Sequence, residues 1–127
     1  MNFRYLSPWI VALLLTAAIN GCAPDTPNLQ GFDKNSWTSD KGGCTGKRSA
    51  LADTLLAQRT SLLAQPESGI LSAIGKPDLV ELYKRNQKLF HYFTDGGPGC
   101  GGADRKPSQL VIRFNAMGRA KEIILEK

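Results

Sequence analysis

The chain has 127 residues, 16 of them Lys or Arg against 11 Asp or Glu, for a formal net charge of +5. That length holds one domain and no more. Charges of both signs are mixed along the chain, and no like-charged run is long enough for a nucleic-acid-binding arm. The basic balance suits weak attraction to anionic lipid head groups, and equally a surface kept soluble by its charge.

The N-terminus orders its physical properties as a secretion signal does. Arg4 is the only charge before Asp25 and sits at the front, where a positive residue resists translocation. Residues 6–19 follow as an uncharged, mostly apolar run, short of the roughly 20 residues of a comfortable membrane span. The run ends in Ile19-Asn20-Gly21-Cys22, which resembles the bacterial lipobox: an aliphatic residue three places before a cysteine and a small one just before it. Asn20 departs from that pattern, being polar where a smaller residue is common. The resemblance implies a diacylglycerol on the Cys22 sulfur, cleavage after Gly21 and a third acyl chain on the new amine. Two or more chains anchor stably, since each buried CH₂ contributes about 0.8 kcal/mol. The alternatives are an exported soluble protein with Cys22 merely near the cleavage site, and an uncleaved anchor. Cleavage would leave 127 − 21 = 106 residues and, without Arg4, a charge of +4.

Residues 22–43 are rich in Pro, Asn, Asp, Ser and Gly and read as the lipidated cysteine and a tether. Phe32 and Trp37 stand out there, and an aromatic in a tether usually marks an end docked on the core. The folded domain is expected over residues 44–127. Lys47 to about Gln65 reads as a helix, with Leu51, Leu55, Leu56, Leu62 and Leu63 on one face, stopped by Pro66. A shorter helix follows to Ile74, with Ile70, Leu71 and Ile74 buried, Gly75 as its cap and Pro77 forbidding continuation.

After Pro77 the apolar period changes from helical to alternating. Strands are expected at Leu79 to Tyr83, at Lys88 to Thr94, around Leu110 to Phe114 and at Ala120 to Leu125. Polar turns separate them, with Gly118 free to take a positive φ. The expected class is α+β: two N-terminal helices packed on one face of a three- to four-stranded antiparallel meander.

If Cys22 carries lipid, Cys44 and Cys100 remain as a pair in an oxidising compartment, where a disulfide is expected. It would close a loop of about 57 residues, worth roughly 4 kcal/mol in the chain-entropy model. The run Gly96-Gly97-Pro98-Gly99-Cys100-Gly101-Gly102 lacks the Lys-Ser/Thr pair and following helix of a phosphate loop, and reads as a hairpin loop around the bridge. The single histidine, His91, has no spare cysteine with which to build a usual zinc site. It is expected to point to solvent, with Phe90 and Tyr92 on the opposite face. A Cys–His nucleophilic pair would need a reduced cysteine after export. No enzyme signature, cofactor or metal is expected.

Three stretches together resemble the SmpA/OmlA family of small outer-membrane lipoproteins, which includes the BamE component of the β-barrel assembly machinery. They are Ile70-Leu71-Ser72-Ala73-Ile74-Gly75-Lys76-Pro77-Asp78, the aromatic strand Phe90-His91-Tyr92-Phe93, and Leu110 through Ala120. Ile74 stands where leucine is usual, and the Cys44/Cys100 pair is not a general family feature. The resemblance implies a non-catalytic envelope lipoprotein that binds protein or lipid in outer-membrane assembly or integrity. The rival reading is an inhibitor or ligand-binding module, since secreted β-lactamase inhibitor proteins share the architecture. Ala23 stands where an Asp would mark inner-membrane retention in enteric bacteria, so the expected location is the outer membrane where the host has one. The expected partners are a membrane, through the lipid, and an envelope protein. One sheet face should stay open to water, with Lys88, His91, Arg113 and Lys121 as candidates for a basic contact surface toward an acidic partner or anionic lipid. A one-residue change of register would exchange the two faces.

Overall fold

A computed structural model describes residues 21, 26–102 and 105–127. Residues 1–20 of the expected signal peptide and Cys22, the expected lipidation residue, lie outside the described residues. Among those described, α1 (Lys34–Ser39), a 3₁₀ turn (Lys41–Gly43), α2 (Lys47–Ala57), α3 (Arg59–Leu62) and α4 (Glu67–Ile74) precede all the strands. The strands β1 (Leu79–Tyr83), β2 (Gln87–Asp95), β3 (Ser108–Phe114) and β4 (Ala120–Glu126) form one antiparallel sheet in chain order. The class is α+β, with the helices first and an antiparallel meander after them.

Folded structure begins earlier than the tether reading allows. Asp33 caps α1, its carboxylate accepting from the N–H groups of Asn35 and Ser36 at 3.0 and 3.3 Å. The cap orients Trp37 into the core, where it is 0% exposed and meets Phe32 and Tyr92 at tilted ring angles and separations of 5.6 and 6.0 Å. Upstream, Gln58 holds the backbone of Gln30 by donating to its carbonyl and accepting from its N–H, both at 2.6 Å.

The long expected helix is broken at Gln58 and ends at Leu62. Residues beyond it are drawn to the sheet instead. Ala64, at φ 65°, donates to the Ala120 carbonyl at 2.8 Å, and the Ala120 N–H donates to Gln65 at 2.9 Å. Those bonds belong to an extended chain, so the helix cannot run on to Pro66. Its buried side is also rotated from the leucine stripe: Arg48, Ala52 and Leu55 face inward, while Leu51 and Leu56 are half-buried. In α4, Ile70 and Ile74 are buried as expected, but Leu71 is exposed. Gly75 ends that helix at φ 85°, and a Cβ there would lie 2.8 Å from Thr38 Cγ2. Only glycine fits both conditions.

The sheet's helix-bearing face carries Phe90, Tyr92, Leu110, Ile112 and Phe114, packed against Trp37, Leu55, Leu62, Ile70 and Ile74. Phe90 and Phe114 meet in a T-shaped contact at 4.7 Å. The Lys84–Gln87 turn places Arg85 and Asn86 at φ 59°, the hand that matches the twist of the flanking strands. At the second tight turn the Asn115 side-chain oxygen Oδ1 accepts from the N–H groups of Met117 and Arg119, each at 3.0 Å.

A group of charged side chains lies inside this core, centred on Arg48. Arg48 is 1% exposed, stacked 5.1 Å from the Trp37 ring centroid, with Nε donating to the Trp37 carbonyl at 2.9 Å. Its Nη1 pairs with the buried Asp78 carboxylate and donates to the Phe93 carbonyl at 3.2 Å. Asp78 also accepts from the Phe93 N–H at 2.8 Å. Asp40 completes the corner. Gly46 offers no side chain to cap α2, and Asp40 supplies it from the preceding turn, accepting from Arg48 N–H at 3.0 Å and Thr45 N–H at 2.8 Å. Burial by itself would raise the Asp40 pKa, but these N–H donors and the Arg48 charge outweigh it and hold the carboxyl below its ordinary value. Burial pushes the neighbouring Tyr92 phenol up, against the opposing pull of the Arg48 charge. Its hydroxyl donates to the Gly75 carbonyl at 2.9 Å.

Two measurements check this corner. Arg48→Met leaves Asp78 buried without its cation and should cost about 3–5 kcal/mol in denaturant unfolding. Adding Asp78→Asn removes the orphaned charge while keeping an oxygen for the Phe93 N–H. The double variant should therefore be more stable than Arg48→Met alone, and a double variant that is less stable would refute the pairing. The second measurement concerns pH. A carboxyl with a depressed folded pKa stabilises fully above its unfolded pKa, and that contribution is lost as pH falls through the folded value. Asp40→Ala should thus cost about 0.5–2 kcal/mol at neutral pH, as a lost helix cap does. The gap from wild type should narrow as pH is lowered toward about pH 3, and a gap constant with pH would contradict the assignment.

Candidate functional site

The sheet's other face has no helix over it among the described residues. Strand alternation and register place Leu79, Glu81 and Tyr83 of β1, Leu89, His91 and Phe93 of β2, Gln109, Val111 and Arg113 of β3, and Glu122, Ile124 and Glu126 of β4 on it. A shallow groove of about 190 Å³ runs across its middle, lined by side chains from all four strands.

A polar ladder crosses this face. His91 Nε2 lies 3.0 Å from the Glu81 carboxylate and Nδ1 lies 3.0 Å from Gln109 Oε1, while Gln109 Nε2 donates to Glu126 at 2.7 Å. With its amide nitrogen committed to Glu126, Gln109 turns an acceptor toward the ring, and the Glu81 carboxylate is an acceptor too. Each ring nitrogen thus faces an acceptor, and either tautomer donates one hydrogen bond within the ladder. His91 is 8% exposed, so it does not point to solvent as its place on an open strand face suggests; its neighbours wall it in. Both ring nitrogens are engaged by neighbouring side chains in this geometry.

The four residues expected to form a basic surface do not come together. Lys88 pairs with Phe114 in the sheet register, on the helix-bearing face, where its ammonium meets Glu67 of α4 at 2.9 Å. Arg113 does lie on the open face, but it pairs with Glu122 at 3.4 Å and sits 5.8 Å from the Tyr83 ring centroid. Lys121 is the extra residue of a bulge between Ala120, opposite Phe114, and Glu122, opposite Arg113. The open face carries Glu81, Glu122 and Glu126 instead, so a basic face toward an acidic partner is not what the fold presents.

The first strand differs from the others. It is the free edge beside β2, and Leu79, Val80, Leu82 and Tyr83 are 50, 49, 78 and 47% exposed. Sheet edges are ordinarily guarded by charge, proline or a covering element. Here the two faces of the edge are apolar, with Glu81 as the one charge in the strand.

Cys44 and Cys100 are joined, with Cα atoms 5.3 Å apart. The bridge stitches the 3₁₀ turn to the loop after β2, and backbone bonds run alongside it from Gly96 and Gly97 to the Gly43 and Gly42 carbonyls at 3.3 and 3.0 Å. Gly43 lies so close to β2 that a Cβ would be 2.5 Å from the Thr94 carbonyl carbon. A cleft of about 450 Å³ opens beside the bridge, walled by Leu79, Phe93, Pro98 and Lys41. Within the glycine loop Gly97 serves close packing, since a Cβ there would run into the Gly42 carbonyl oxygen and Phe93, while at Gly99, Gly101 and Gly102 a Cβ would meet nothing within 4 Å; among the described residues no helix follows the loop.

Sequence reasoning missed Arg48, Asp40 and the edge character of β1. A charged residue in register with Ala52 and Leu55 was the available signal for the first. No family model, curated protein or solved structure matches the chain.

Proposed function

We propose that this chain is a non-catalytic binding module of the cell envelope, anchored by lipid on Cys22, that captures an extended segment of an envelope protein along the free edge of β1. The observation that carries the reading is that unguarded edge. Its outward backbone groups have no strand beside them, and its alternate side chains offer apolar contacts on both faces. An incoming strand gains main-chain hydrogen bonds from the first and side-chain specificity from the second. Leu79 and Tyr83 would meet its residues on the open face, and Val80 and Leu82 those on the other.

The signal-like N-terminus and the resemblance to the SmpA/OmlA lipoproteins support the envelope setting and a role in outer-membrane assembly or integrity. A ligand-binding module is the second reading, favoured by the apolar cleft beside the Cys44–Cys100 bridge.

The test is in-cell photo-crosslinking from position 80, in wild type and in Leu79→Lys/Leu82→Lys. Those side chains are already exposed, so stability should change by only about 0.5 kcal/mol. A discrete protein adduct should form in wild type and be lost in the folded double variant. An adduct of equal yield in both would sink the edge-capture reading. In the same cells Cys22→Ser should lose labelled fatty acid and leave the membrane fraction; continued labelling would refute the anchor.

A further inference from the structure

The corner that seats Arg48 opens to solvent as a second cleft, of about 380 Å³, lined by Thr38, Lys41, Arg48, Lys76 and Pro77. Three of those five residues are cations. The Arg48 side chain is 2% exposed, and its position is fixed from several sides: Nε by the Trp37 carbonyl, Nη1 by Asp78 and the Phe93 carbonyl, and the guanidinium plane by the Trp37 ring. Nη2 makes no hydrogen bond among the described residues. It is a donor on an immobilised guanidinium in the wall of a cationic cleft, and it is free for an acceptor from outside. Lys41 and Lys76 are exposed and enter no ion pair among the described residues.

We propose that this cleft binds an oxyanion of the phosphate type, with Arg48 Nη2 as the fixed donor and the Lys41 and Lys76 ammonium groups closing on it from the rim. Charge selects an anion, and the set of donors selects its class. Asp78 and Asp40 offset two of the three positive charges and leave the cleft positive, and its three separate donor groups match the three acceptor oxygens of a phosphate group better than the two of a carboxylate. Geometry agrees. A guanidinium held in place loses little freedom on binding, and two flexible ammonium groups adapt to the remaining oxygens. The cleft is separate from the β1 edge proposed for protein capture, so either can stand without the other.

The same group could arrive free or on a lipid headgroup. The experiment therefore titrates inorganic phosphate into the disulfide-bonded domain with Cys22→Ser, following backbone amide resonances, with chloride at matched ionic strength as control. Arg48 is left intact because the core depends on it; the variant is Lys41→Gln/Lys76→Gln. Saturable shifts at Thr38, Arg48 and Lys76 that chloride does not reproduce, weakened at least tenfold in the variant, are expected. A parallel arm measures pelleting with vesicles bearing phosphomonoester headgroups, against vesicles of equal charge carried by carboxylates. Variant-sensitive binding to free phosphate alone assigns a soluble ligand, binding to the phosphate vesicles alone assigns a lipid-borne one, and binding to both assigns the group irrespective of its carrier. Shifts reproduced by chloride, equal affinity in the variant, or no preference for phosphate in either arm would overturn the proposal.

Discussion

The buried ion pair between Arg48 and Asp78 is the constraint on which the rest of this fold depends. A guanidinium taken out of water costs several kcal/mol unless its charge is paired and its N–H groups are accepted. Meeting those demands draws together parts of the chain that share no sequence neighbourhood. The Trp37 carbonyl comes from α1, Asp78 from the loop before β1, and the Phe93 carbonyl from β2. Each acceptor must reach one side chain at the start of α2, so the mutual placement of two helices and two strands is specified at one point. An apolar residue there would pack with equal energy in several arrangements; an arginine admits few.

The disulfide and the glycines follow from that placement. With α1 and α2 fixed against β2, the turn between them is pressed onto the strand, and Gly43 lies where any Cβ would collide with the β2 backbone. The loop after β2 is then near enough for Cys100 to meet Cys44, and for Gly96 and Gly97 to donate to the opposing carbonyls. Asp40 does two jobs in the same space, terminating α1 and capping α2. The two helices therefore share one carboxylate as well as one arginine. A domain of this size buries little surface to spare, and cross-linking of this kind replaces what a larger core would supply.

Much of this was legible in the sequence, and the illegible part has a common cause. Strand positions, the meander, the short helix before Gly75 and the Cys44–Cys100 pairing follow from local rules: alternation, turn chemistry, and two thiols left over once Cys22 is set aside. Apolar periodicity misplaced the buried side of α2 because two of its three inward positions are Arg48, which is charged, and Ala52, whose side chain is too small to mark a stripe. The leucines at 51 and 56, which do mark one, flank the true buried line. Alternation also carried information that the basic-face expectation did not use. Lys88 and His91 are three residues apart in one strand, an odd spacing that puts them on opposite faces. The bulge at Lys121 is a different matter, because only the pairing of Phe114 with Ala120 reveals the extra residue. Nor could composition show that Leu79 to Tyr83 lies at an edge. That is a property of strand order, set by where the chain enters the sheet.

The two proposed surfaces would be linked to the proposed anchor by simple geometry. Gln58 fixes the backbone of Gln30, and the neighbouring Leu29 packs against the core. Eight residues separate Cys22 from Gln30, and a fully extended chain advances at most about 3.6 Å per residue. With lipid on Cys22, the docked end of the domain would be held within roughly 29 Å of the membrane surface. At that range the domain would sample partners and headgroups in a thin layer, and local concentration would compensate for modest affinity at either surface. A short leash would also restrict orientation. A strand captured at β1 or a phosphate bound beside Arg48 must be presented from the membrane side or from a neighbouring envelope protein within the same layer. An oxyanion at Lys41 and Lys76 would, moreover, contact α1 and the α4–β1 loop at once. Both already converge on Arg48, so such a ligand would tighten the corner from which β1 departs and, with it, the base of the free edge.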